Sequence, residues 1–122
     1  MRTTKKQFDY FQGRFIIWCD VFGISDWELY FKNEAYADEN ISDVTVSLED
    51  KIAQVGLNKN LEKKYLTEAA LDKAALHEAL HLLLAELSVR GASRYVDEKE
   101  LTVAEHAVIQ RLINFIQSNT EG

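Results

Sequence analysis

Residues 67–89 read TEAALDKAALHEALHLLLAELSV, and the spacing within this stretch decides the fold. Leu66, Ala69, Leu76, Leu80, Leu83, Leu84 and Leu87 recur at helical intervals and form a broad apolar face, with Asp72, Lys73 and Glu86 outside it. The pattern predicts a long helix from about Thr67 to Val89. Near its middle stands His77-Glu78-Ala79-Leu80-His81. Positions i and i+4 share one side of a helix, so both imidazoles can reach one metal ion while Glu78 projects beside it. The two histidines fall at the margin of the apolar face, which lets the helix seat its back in a core and present the rings at the mouth of a cleft. The alternative is two half-buried helix histidines with ordinary hydrogen bonds.

A hydrolytic zinc site has three protein ligands and an open position for water, so a third donor must come from elsewhere in the chain. Glu86, five residues past His81, points to nearly the opposite side of the helix and cannot close the site. A second helical pattern, from about Asp97 to Gln117, offers Glu100, Glu105 and His106. Leu101, Val108, Leu112, Phe115 and Ile116 mark its buried stripe. At about 100° per residue Glu105 falls near the middle of that stripe, His106 at its edge and Glu100 to the other side. An ionised carboxylate is costly to bury without a partner, and a metal is one of the few partners that offsets the cost. Glu105 is therefore the expected third ligand, with His106 as the alternative. A buried ion pair of Glu105 with Arg94 or Arg111 is the competing explanation. His106 can instead donate a hydrogen bond to charge developing in a transition state, as can Tyr95 or Arg94 on the bend after Gly91.

Upstream, Phe8, Phe11, Phe15, Trp18 and Phe22 recur at alternating spacings of three and four, the stripe of an N-terminal helix that ends at Gly23. Trp27-Glu28-Leu29-Tyr30-Phe31 alternates as a strand does. So do Val44, Val46 and Leu48, and, more weakly, Ala53, Val55 and Leu57. A polar stretch from Asn33 to Asn40 reads as a loop and Glu49-Asp50-Lys51 as a turn. Three short strands in an antiparallel sheet are the simplest arrangement, and the fold class is α+β. An edge strand beside the histidine-bearing helix can take up an extended peptide as an added strand.

A helix carrying His77-Glu78-Ala79-Leu80-His81, followed on the next helix by Glu105, resembles the gluzincin branch of the zincin metallopeptidases. The whole chain looks like the compact single-domain members encoded in bacterial and phage genomes. The resemblance implies an N-terminal helix, a small antiparallel sheet, the active-site helix and a C-terminal ligand-bearing helix. It also implies Zn²⁺ bound by His77, His81 and Glu105, with Glu78 as the general base in peptide hydrolysis. Leu84 and Leu87 stand where a metzincin carries glycine and a third histidine, which excludes that branch. Val103-Ala104-Glu105-His106-Ala107 does not reproduce the longer second motif of large gluzincins. The reading from a different class is a non-catalytic interaction or assembly protein, an adaptor or phage structural component that keeps the architecture with metal absent or purely structural.

At 122 residues and 47% hydrophobic, the chain suits one small core, a single domain over 1–122 with ends near 1–5 and 118–122 expected to fray. The sequence contains no bilayer-spanning apolar run or signal-peptide core, so a cytoplasmic location is the default. Cys19, the single cysteine, forms no internal disulfide and reads as a buried hydrophobe. A net charge of −6 argues against nonspecific nucleic-acid binding. Lys59, Lys63 and Lys64 form the densest basic cluster beyond the N-terminus, interrupted by Glu62, and read as solvated surface. The expected partner is a peptide or protein substrate, and the sequence does not specify an oligomeric state.

Overall fold

The computed structural model describes residues 2–85 and 98–120, the latter segment with only part of its side chains. Its elements run α1 (Lys5–Val21), β1 (Glu28–Glu34), β2 (Ser42–Ser47), β3 (Ile52–Asn58), a 3₁₀ turn (Lys63–Tyr65), α2 (Glu68–Leu83) and α3 (Glu98–Thr120). The α+β class and the element order match expectation.

Local chemistry explains where the helices begin. Thr4 and Gln7 form a reciprocal capping box: the Gln7 amide donates to Thr4 Oγ1 at 3.1 Å, and the Thr4 amide donates to Gln7 Oε1 at 2.9 Å. At α2, Thr67 Oγ1 accepts from the Ala70 amide, and Glu68 places a negative charge in the first turn. The α1 helix stops at Phe22, and Gly23 follows with φ +73°, a left-handed conformation that favours glycine.

The sheet is mixed, not antiparallel. Strand order is β1-β3-β2, with β3 parallel to β1 and antiparallel to β2. The Ala53–Leu57 pattern, the weakest of the three in sequence, marks the central strand. Ala53, Val55 and Leu57 are fully buried, and Gly56 and Asn58 are buried between and after them. Short-range alternation carries no information about which strands pair. The connection after β1 passes over the end of β3 before β2 begins, and Asn58 holds it there. Asn58 Oδ1 accepts from the amides of Tyr36 and Asn60, and its Nδ2 donates to the Asn40 carbonyl at 2.9 Å. Gly56 is required for a separate reason: a Cβ there would collide with Asp43 Oδ1 and the Tyr36 hydroxyl, which hydrogen-bond to each other across it.

Residues 2–4, expected to fray, are tied to the sheet end. The Thr3 amide donates to the Lys59 carbonyl at 2.7 Å, Thr3 Oγ1 donates to the Asn58 carbonyl at 2.8 Å, and Arg2 bridges to Asn60.

Two apolar clusters meet at α2. One joins Phe11, Phe15 and Cys19 of α1 to Ala53, Val55 and Leu57 of β3 and to Leu71, Ala75, Ala79 and Leu82 of α2. The Phe15 ring meets Phe31 of β1 edge-on at 5.7 Å, so α1 covers the sheet as its aromatic stripe predicts. The other joins Leu76 and Leu80 of α2 to Ile109 and Ile113 of α3. The apolar face of α2 is thus wider than its sequence pattern and rotated from it. Leu71, Ala75, Ala79 and Leu82 are buried, whereas Ala69 and Leu83 are exposed. Asp72 locks α1 to α2, with Oδ1 accepting from Arg14 Nε at 2.7 Å and from Trp18 Nε1 at 2.8 Å. Burial holds the Cys19 thiol up at about 12, in keeping with a packing role. Among the described residues no helix is long and apolar enough to cross a membrane.

Asn58 is only 3% exposed and its side chain makes three hydrogen bonds, so its removal leaves several polar groups unpaired. Asn58→Ala is expected to lower unfolding free energy by about 2–4 kcal/mol in urea titrations. A loss under about 0.5 kcal/mol, the range of ordinary surface substitutions, would show that the crossover does not depend on it.

Candidate metal centre

Because α2 is buried on two sides, its remaining margin is the one that opens to a cleft. His77 and His81 lie there one turn apart, with Nε2 atoms 3.0 Å from each other. Their rings meet at a centroid distance of 4.8 Å. His106 of α3 completes the arrangement, its ring 4.7 Å from that of His81 and 5.9 Å from that of His77. One nitrogen from each of the three falls within 4.8 Å of the others, a cluster able to hold a metal ion. Nitrogens bound tetrahedrally at about 2.0–2.1 Å from a zinc lie roughly 3.3 Å apart, so modest ring adjustments suffice.

Glu105 stands one step behind this cluster. It is buried, on the same stripe of α3 as the fully buried Ile109 and Ile113, as its periodicity predicts. Its Oε1 lies 3.1 Å from Nδ1 of His81, whereas Nε2 of that ring faces His77. The carboxylate's partner among the described residues is this imidazole, and the three-nitrogen cluster does not include it. Nδ1–H donating to Glu105 fixes the tautomer that puts the lone pair on Nε2, facing His77, the arrangement carboxylates impose on metal-bound histidines. His106, exposed on the same helix, meets the other two rings where α3 packs against α2.

Burial keeps His77 largely neutral, pulling its pKa down to about 4 with help from the neighbouring His81, His106 and Lys73. Burial also lowers His81, against the opposing pull of Glu105. Neutral imidazoles are the form that ligates a metal.

Glu78 reaches β2, where Ser42 Oγ donates to its Oε2 at 2.6 Å. It is 5% exposed, and burial raises its carboxyl from 4.5 to about 7, the Ser42 hydrogen bond opposing and Asp43 reinforcing the rise. Oε1 has no hydrogen-bond partner among the described residues. A cleft of about 260 Å³ joins Asn40, Ser42 and Asp43 on the β2 side to Glu78 and all three histidines. Strand β2 is an edge of the sheet and packs beside α2, so it is the edge strand adjoining the histidines.

Ser42 and Asp43 carry no signal in the sequence, since a polar residue opening a strand is unremarkable until the strand is placed against Glu78. Tyr95, Arg94, Glu86 and the bend after Gly91 lie outside the described residues, as do the side chains of Glu100, Leu101, Val108, Arg111 and Phe115. Comparison with known proteins gives no match: no family model fits the chain, and neither a curated protein nor a solved structure is similar to it.

The raised carboxyl of Glu78 has a consequence for stability. Its folded-state pKa exceeds the unfolded value, so the folded chain binds more protons between about pH 4.5 and 7, and stability falls as pH rises through that window. In metal-free protein Glu78→Gln removes this cost and keeps an acceptor for Ser42. Its stability gain over wild type is expected to grow from near zero at pH 4.5 to roughly 3 kcal/mol at pH 8, measured by urea unfolding in chelator. A gain independent of pH would contradict an ionisable, buried Glu78.

Proposed function

We propose that this protein is a zinc-dependent metallopeptidase in which His77, His81 and His106 hold the metal and Glu78 is the general base. What carries the reading is the convergence of three imidazole nitrogens within 4.8 Å at a cleft that Glu78 also lines. Three imidazoles suit a divalent zinc ion and leave a coordination position free, whereas a structural site has four protein ligands. Among the described residues the cluster contains only the three.

A zinc ion held there supplies Lewis acidity, acidifying a water and polarising a peptide carbonyl. Glu78 takes the proton on Oε1 while Ser42 holds Oε2. The same carboxyl delivers the proton to the departing amine nitrogen, so no covalent intermediate is needed. Glu105 holds His81 in its ligating tautomer and does not itself bind the metal. The open edge of β2 gives an extended peptide a strand to pair with beside the site.

The test uses zinc-loaded protein and a proteome-derived peptide mixture, with new peptide termini read by mass spectrometry. Wild type is expected to generate termini that chelation abolishes. Glu78→Gln is expected to retain about one zinc per chain and lose at least 10²-fold in cleavage rate, while His106→Ala loses the zinc. Undiminished cleavage by Glu78→Gln, or full zinc retention by His106→Ala, would overturn these assignments.

A further inference from the structure

The metal cleft continues into a larger groove of about 470 Å³, bounded by Asn40–Ser42 on one side and α2 on the other, and reaching Lys64 and Tyr65 beyond. Its floor on α2 is made of small residues. Ala70 and Ala74 occupy successive turns before Glu78, and longer side chains there would fill the space. Two cations line it. Lys73 precedes His77 by one helical turn, about 6 Å, and lines the groove with it. Lys64, from the basic cluster read in sequence as solvated surface, sits 5.0 Å above the Tyr65 ring, which holds it over the groove wall. Its ion pair with Glu62, at 3.5 Å, is solvent-exposed and weak enough to be exchanged for a ligand carboxylate. The one carboxylate lining the groove among the described residues, Glu78, is engaged by Ser42. A chain of net charge −6 thus presents two lysines at the approach to its metal cluster.

We infer that this groove selects acidic substrates: an extended peptide lies along it with Asp or Glu side chains between Lys73 and Lys64. The inference rests on the metallopeptidase reading and adds the substrate class to it. An extended peptide advances about 3.3 Å per residue, so a carboxylate beside Lys73 belongs to a residue about two positions from the bond at the metal.

Binding is measured with zinc-loaded Glu78→Gln, which holds a peptide without cutting it. Two fluorescein-labelled dodecapeptides, identical except for a Glu-Glu or a Lys-Lys pair, are titrated by fluorescence anisotropy. The Glu-Glu peptide is expected to bind at least about tenfold more tightly. Adding Lys64→Glu and Lys73→Glu, both at exposed positions, is expected to reverse the preference. Ala74→Leu is expected to weaken both peptides while zinc stays bound. Equal affinities, a preference unchanged by the double reversal, or no binding of either peptide to zinc-loaded protein would overturn the inference. Cleavage without acidic preference would overturn it and leave the peptidase reading intact, whereas failure to retain zinc would remove both.

Discussion

The hydrogen bond from Nδ1 of His81 to Glu105 joins the packing of this molecule to its chemistry. Glu105 is on the stripe that α3 buries against α2, one turn before Ile109 and two before Ile113. Each fully buried isoleucine contributes on the order of 1.5–3 kcal/mol, so apolar contact supplies the force that brings the carboxylate to the imidazole. Once there, the carboxylate selects the tautomer of His81, and the same helix crossing delivers His106. A histidine cluster built from two helices therefore inherits its precision from an apolar seam.

Glu78 illustrates the opposite relation, in which the placement of a cleft residue works against stability. Its burial beside β2 raises its proton affinity and makes its ionisation costly to the fold. The hydrogen bond from Ser42 offsets part of that cost and fixes one oxygen. The position of Ser42 depends in turn on the crossover loop that Asn58 anchors, since β3 can occupy the middle of the sheet only if the chain passes over its end. The histidine cleft thus relies on a buried asparagine in the central strand.

Much of this was legible in the sequence because it is written locally. The motif at 77–81, the aromatic stripe of α1, the glycine after it and the burial of Glu105 all follow from helical periodicity. Periodicity gives the angular position of a residue and says nothing about what faces it. It placed Glu105 inside and His106 at the edge, but only the crossing of α2 and α3 shows that the edge residue meets the other imidazoles. Pairing order in the sheet was hidden for a similar reason. Alternation marks a strand without naming its neighbour, and β3 reads weakest because the buried Gly56 and Asn58 interrupt the alternation that Ala53, Gln54 and Val55 begin. Ser42 has no pattern at all, and Lys64 reads only as part of a solvated basic cluster, since their positions in the cleft and groove come from elements brought together in space.

The most direct measurement is diffraction at the zinc absorption edge from crystals of the zinc-loaded protein. An anomalous peak about 2.0–2.1 Å from one nitrogen each of His77, His81 and His106, with Glu105 on Nδ1 of His81 and a water completing the shell, is expected. A peak ligated by Glu105 in place of His106, a fourth protein ligand in the water's position, or no peak at these histidines would contradict the proposed centre.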